Sequence, residues 1–92
     1  MLEFNSTAQF RRDYKRVKRR GYDIKLLEDL IDKLLRREIL DVKYKDHELT
    51  GNMAGFRECH IKFDWVLIYG VSDKELTLTA MRTGTHSEVL GV

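Results

Sequence analysis

The sequence predicts an α+β domain, in which an N-terminal helical hairpin packs on a small antiparallel β-sheet. Up to Leu35 the apolar residues recur at helical spacing, whereas from Phe56 onward "FRECHI", "WVLIYGV" and "LTLTAM" are rich in aromatic and β-branched residues. The chain has no Pro, and no Gly/Ser linker or repeat interrupts it, so residues 1–92 are read as one domain.

The elements follow in order. "LEF" at the start is short and apolar enough to be an additional edge strand. Ser6, with Gln9 three residues on, fits a capping box, and a first helix is expected from about Thr7 to Arg20. In it, Phe10, Tyr14 and Val17 fall at i, i+4 and i+7 and make one apolar stripe for a core to cover. Gly21 can take the left-handed conformation that ends such a helix, and Asp23 can cap the next. Leu27, Leu30, Ile31, Leu34 and Leu35 give the second helix its apolar face, with Arg36 and Arg37 placed to favour the negative end of its dipole. Three antiparallel strands account for the rest, "SDKE" supplying the turn between the second and third.

Composition excludes several classes. With 42% hydrophobic and 35% charged residues, the chain is globular rather than disordered. No apolar run approaches the roughly 18 residues of a membrane span. The start lacks the charged leader, apolar stretch and cleavage site of a secretion signal. A single cysteine, Cys59, cannot form an internal disulfide, so a cytoplasmic location is expected. Net charge is only +2, but seven basic residues stand against Asp13 alone in "AQFRRDYKRVKRR". Arg11, Arg12, Lys15, Arg16 and Arg19 lie largely off the apolar stripe. They form either a solvated helix face or a surface for phosphates.

The chemistry centres on "FRECHI". Strand alternation puts Glu58 and His60 on one face and Arg57, Cys59 and Ile61 on the other, so Cys59 and His60 cannot readily share a metal. The paired Cys/His spacing of a zinc site is missing, as are the strained elbow of a serine nucleophile and the lysine and glycine spacing of a phosphate loop. Neither a metal nor another cofactor is expected. His47, His60 and His86 remain. Unperturbed imidazole titrates near about 6.5, so two histidines can divide the work of base and acid at neutral pH. RNA cleavage needs that division: a base takes the ribose 2′-hydroxyl proton, an acid protonates the departing 5′-oxygen, and a cation stabilises the phosphoryl charge. The histidines, with Arg57, Arg82 and an orienting Asp64, offer these roles without metal.

"YKDHELTGN", "FRECHIKFDWVLIY" and "RTGTHSEVL" closely resemble, in order and spacing, segments of YafQ-like toxins in the RelE/ParE toxin superfamily. The resemblance implies a RelE-like, microbial ribonuclease-type fold. It also implies a ribosome-dependent endoribonuclease that cuts messenger RNA in the ribosomal A site and is held inactive by a neighbouring antitoxin. By motif, it assigns His47, His60, Asp64, Trp65 and His86 to catalysis or substrate placement. His60 and His86 are the expected proton-transfer pair, His47 and Asp64 orient or share those roles, and Arg82, with Arg57, stabilises phosphate charge. Trp65 stacks on a base or walls the pocket, with a packed indole as the alternative. The expected partners are an acidic, partly disordered antitoxin segment, the ribosome, its RNA and messenger RNA. Arg11, Arg12, Lys15, Arg16 and Arg19 would face ribosomal RNA or the antitoxin, and the toxin alone is expected to be a monomer that enters a larger complex. Relatives usually carry Pro where Phe63 stands, an aromatic where Leu90 closes the substrate site, and often an aromatic at Met53. A ParE-like gyrase poison would not need the histidines, and a noncatalytic RNA-binding module would have no reason to cluster them.

Overall fold

The computed structural model describes residues 1–91. In chain order the elements are β1 (Glu3–Ser6), α1 (Ala8–Arg19), α2 (Ile24–Leu35), β2 (His47–Glu48), β3 (Arg57–Lys62), β4 (Trp65–Ser72), β5 (Thr77–Gly84) and α3 (His86–Leu90). Single 3-10 turns at Val42–Tyr44 and Gly51–Met53 flank β2. The strands form one sheet in the order β1-β5-β4-β3-β2. It is antiparallel except at its edge, where β1 runs parallel to β5 with Glu3 opposite Thr77.

Both helices pack on one face of the sheet, as the apolar periodicity requires. Phe10, Val17, Leu27, Leu30 and Leu34 meet Cys59, Trp65, Leu67, Tyr69, Leu78 and Ala80 there. Each buried leucine contributes about 1.5–3 kcal/mol relative to exposure. Alternation along β4 sends Val66 and Ile68 to the opposite face, where Val89 of α3 and the partly buried Leu49, Met53 and Phe56 cover them. β4 is thus apolar and buried from Trp65 to Tyr69, where both of its faces are covered.

The helix boundaries differ from expectation at one cap. Thr7, not Ser6, caps α1: its hydroxyl accepts the Phe10 amide at 2.9 Å. Gln9 donates instead to Asp13, at 3.0 Å. Thr7 is the better placed because its hydroxyl also donates to the Met81 carbonyl, at 2.9 Å, fastening the helix start to β5. Gly21 takes the left-handed conformation, with φ 83°. Asp23 stands at the α2 cap without a side-chain hydrogen bond.

Asp13 is the polar residue in the buried stripe of α1, fully enclosed beside Phe10 and Val17. One carboxylate oxygen accepts Arg82 Nε at 2.8 Å and the Thr83 amide at 3.2 Å, and the other accepts Gln9 and pairs with Arg16 at 3.0 Å. Burial pushes this carboxyl up, but the bonds from Arg82, Gln9 and Thr83 outweigh that and leave it below its ordinary value. Arg16 continues the chain of charges to Glu88 in α3, at 3.2 Å.

Glu88 also closes a capping box with Thr85 at the start of α3. The Arg20 hydrogen bond and the Thr85 amide pull its carboxyl down to about 2, with Arg16 assisting. A depressed carboxyl stabilises the fold fully above its unfolded value of about 4.3 and loses that contribution as pH falls towards the folded value. Glu88→Gln should therefore melt below the parent at pH 7 by the equivalent of about 1 kcal/mol, discounted for solvent screening, with most of that gap gone by about pH 2.5. Thermal melts at the two pH values check this, and a gap that does not depend on pH would remove the linkage.

Candidate active site

β3 and β4 pair antiparallel, which sets Glu58 opposite Ile68 and His60 opposite Val66, on the face away from the helical hairpin. β2 covers only Arg57 and Glu58, so the end of β3 from His60 to Lys62 has no partner on that edge. A groove of about 710 Å³ runs round this open end from α2 to α3, lined by His60, Asp64 and His86 together with Lys33, Lys43, Lys45 and Lys62.

The three histidines converge on one carboxylate. Glu58 is buried, and its Oε1 lies 3.2 Å from His60 Nε2, 3.5 Å from His47 Nε2 and 4.0 Å from His86 Nε2. The ring centroids of His60 and His86 are 4.9 Å apart, and those of His47 and His60 are 6.4 Å apart. The other Glu58 oxygen, Oε2, is buried without a hydrogen-bond partner among the described residues. Such a carboxylate retains acceptor capacity for an incoming donor.

Hydrogen-bond partners fix the tautomers. Asp64 Oδ1 accepts both the His86 backbone amide, at 3.0 Å, and His86 Nδ1, at 2.8 Å. A carboxylate only accepts, so the proton sits on His86 Nδ1 and the neutral ring carries its lone pair on Nε2. These two bonds from His86 hold the Asp64 carboxyl below its ordinary value. His47 Nδ1 likewise donates to the Lys45 carbonyl, at 2.6 Å. His60 differs, because its Nε2 donates to Glu58. The site therefore holds a His86–Asp64 dyad beside a His60–Glu58 dyad, each an imidazole oriented by a carboxylate.

Glu58 is the group missed when roles were assigned from the sequence. Strand alternation had placed it on the His60 face, but only the fold shows His47 and His86 arriving at the same oxygen. Glu58, His60 and His86 each offer one ligand atom, all within 4.8 Å of one another, so they have the donor set to hold a metal ion. Cys59 does not join them. It is buried on the hairpin side, and burial with the nearby Asp46 and Glu58 charges pushes its thiol up.

Several expected site residues lie elsewhere. Trp65 is only 3% exposed, donates to Thr83 Oγ1 at 2.9 Å and packs edge-on against Tyr22, so it is a core indole with no face for a base. Arg57 points to the other side of the sheet, paired with Asp46 at 3.0 Å and Glu48 at 3.6 Å. The same alternation that put it opposite His60 keeps it from the groove. Arg82 is held by Asp13 and does not line the groove. Leu90 is partly buried against the Val66, Ile68 and Val89 cluster. Of the five basic residues of α1 expected to face RNA or the antitoxin, Arg11, Arg12, Lys15 and Arg19 are exposed, whereas Arg16 is engaged by Asp13 and Glu88.

Comparison with known proteins places this chain in a class. Residues 2–91 match the family model described as a bacterial toxin of type II toxin-antitoxin systems, YafQ. The chain belongs to that family, the YafQ toxins. It is 37% identical over 86 residues to the mRNA interferase toxin YafQ of Escherichia coli K12, an alignment covering 92% of this chain and 91% of that relative. A metal-bound toxin from Helicobacter pylori superposes with a TM-score of 0.91 at 40% identity, covering 97% of this chain and 99% of the other. The toxin of the Escherichia coli DinJ–YafQ complex superposes with a TM-score of 0.90 at 34% identity, covering 99% and 100%.

Proposed function

We propose that this chain is a ribosome-dependent mRNA endoribonuclease, the toxin of a type II pair, which cleaves by histidine acid–base chemistry without a metal. The observation that carries the reading is the pair of oriented imidazoles: His86 on Asp64 and His60 on Glu58, 4.9 Å apart in a groove edged by lysines. His86, with its proton held on Nδ1, presents Nε2 as the base for a ribose 2′-hydroxyl. His60, as an imidazolium whose Nε2–H is held by Glu58, is the acid for the departing 5′-oxygen, and His47, when it too carries both ring protons, donates Nε2–H to the shared carboxylate from the far side. The attacking 2′-oxygen displaces the 5′-oxygen at phosphorus, leaving a cyclic phosphate, so no water or metal enters the first step. Since Arg82 and Arg57 are paired to carboxylates, Lys45 and Lys62 become the cations for the phosphoryl group. The mRNA interferase relative supports the substrate, and the ribosome, in the cytoplasm, supplies the messenger in an extended form.

The same reading gives the partner. Exposed Arg11, Lys15 and Lys18 of α1 border a groove of about 640 Å³ floored by Phe4, Phe10, Tyr14, Ile31 and Leu35. An acidic, amphipathic antitoxin segment that orders on binding fits both the charge and the apolar floor. The DinJ–YafQ relative supports such a complex. The free toxin, in this reading, is a monomer.

Primer extension on messenger RNA, using purified programmed ribosomes with and without EDTA, tests the proposal. Cuts that need ribosomes and change less than twofold on chelation are expected. Cleavage lost on chelation and restored by one ion would move the chemistry to the Glu58, His60 and His86 donor set, for which the metal-bound relative is a precedent. Gyrase inhibition without cuts would overturn the reading altogether.

A further inference from the structure

Phe63 is 96% exposed, far more than any other aromatic ring in the described chain. A lone exposed apolar residue is ordinary, but the position of this one is not. It occupies the two-residue turn between β3 and β4, where the pairing of Lys62 with Trp65 fixes the backbone on both sides. The next residue, Asp64, holds His86 by two hydrogen bonds. Phe63 lines the same groove as His60, Asp64 and His86, flanked by Lys43, Lys45 and Lys62, none of which enters an ion pair among the described residues. Tyr44, the other aromatic in that groove, is partly packed on the hairpin-side core and has Lys43 over its ring at 5.3 Å. Trp65 is buried.

Exposed rings interleaved with cations are the physical requirements for holding a single strand: the cations follow the phosphates and the ring stacks on an unpaired base. We propose that Phe63 is a specificity-determining residue of this site, stacking on the base of a nucleotide that adjoins the scissile phosphate, with Lys62 and Lys45 on the phosphates around it. The inference rests on the endoribonuclease reading above. Stacking strength grows with the area of the base, so the ring favours a purine at that position. Because the turn that holds the ring also carries Asp64, a base stacked on Phe63 sets the neighbouring ribose beside His86.

The test compares the parent with Phe63→Ala and Phe63→Trp on purified ribosomes programmed with messengers that carry a purine or a pyrimidine at each nucleotide flanking the cut. Phe63→Ala should lose about 5- to 150-fold in kcat/KM, the usual cost of one lost base stack, and should cut the two messenger sets alike. Phe63→Trp should restore both rate and purine preference. Melting temperature and Trp65 fluorescence should not move in Phe63→Ala, since the ring touches no core. If the parent cuts and Phe63→Ala cuts equally fast with the same preference, the stacking role is overturned and the nuclease stands. If the parent makes no cuts on any messenger, both readings fall together.

Discussion

His86→Ala is expected to slow single-turnover cleavage on ribosomes by about 10²- to 10⁴-fold, and His60→Ala by a similar factor, with little change in ribosome affinity. In the proposed mechanism the dyads account for the pairing of these effects, since each imidazole is set by its own carboxylate and removal of either would leave one proton transfer unassisted. The double variant should be little slower than the worse single one, because both transfers belong to one step. Asp64→Asn tests the orienting bond separately. Its amide can turn an oxygen to His86 Nδ1 but carries no charge to support an imidazolium, so a smaller loss is expected, in kcat rather than KM. Rate constants from a timed primer-extension series decide these points. Full activity in both histidine variants would place the chemistry elsewhere in the groove.

The second large effect is on stability. Asp13→Ala should cost about 2–4 kcal/mol in urea unfolding, near the lower part of the range for breaking a buried charge pair. Asp13 is fully buried, whereas Arg82 and Arg16 keep 28% and 26% side-chain exposure, so water softens the penalty. The Thr83 amide has no such relief, because Thr83 is itself enclosed. Asp13→Asn should recover part of the loss by keeping the shape and one acceptor. If Asp13→Ala unfolds within 0.5 kcal/mol of the parent, a threshold of about the scatter of surface changes, the buried network contributes nothing net.

Much of this architecture was legible where a period repeats often enough to exceed local noise. α1 and α2 each run for twelve residues with an apolar stripe, and β3 to β5 carry β-branched and aromatic runs, so the hairpin-on-sheet arrangement followed from spacing. Elements of two or five residues carry no period, and β2 and α3 went unread for that reason. The Thr85 and Glu88 capping box was a visible sign of α3. Asp13 was also visible as the lone acid in a basic run, three residues from Phe10 and four from Val17, and that spacing buries it. For the site, alternation alone separated His60 from Cys59 and Arg57. The meeting of His47 and His86 at Glu58 required the loop after α2 and the end of β5 to be brought together, which no local pattern encodes.

The parallel pairing of β1 with β5 has a temporal consequence. Glu3 must find Thr77 and Ser6 must find Ala80, contacts that span most of the chain, and α1 hangs between them by the bond from Thr7 to Met81. Such long loops close late, because the entropy lost on closure is recovered only when the distant strand arrives. During synthesis β1 is made first and must wait for β5, and His86 follows β5. The partly made chain thus has helices before it has either dyad, and the groove on β3, which already holds Glu58 and His60, gains His86 only at the last stage of folding. A ribosome translating this protein therefore carries, for most of the elongation time, a nascent chain whose groove lacks His86.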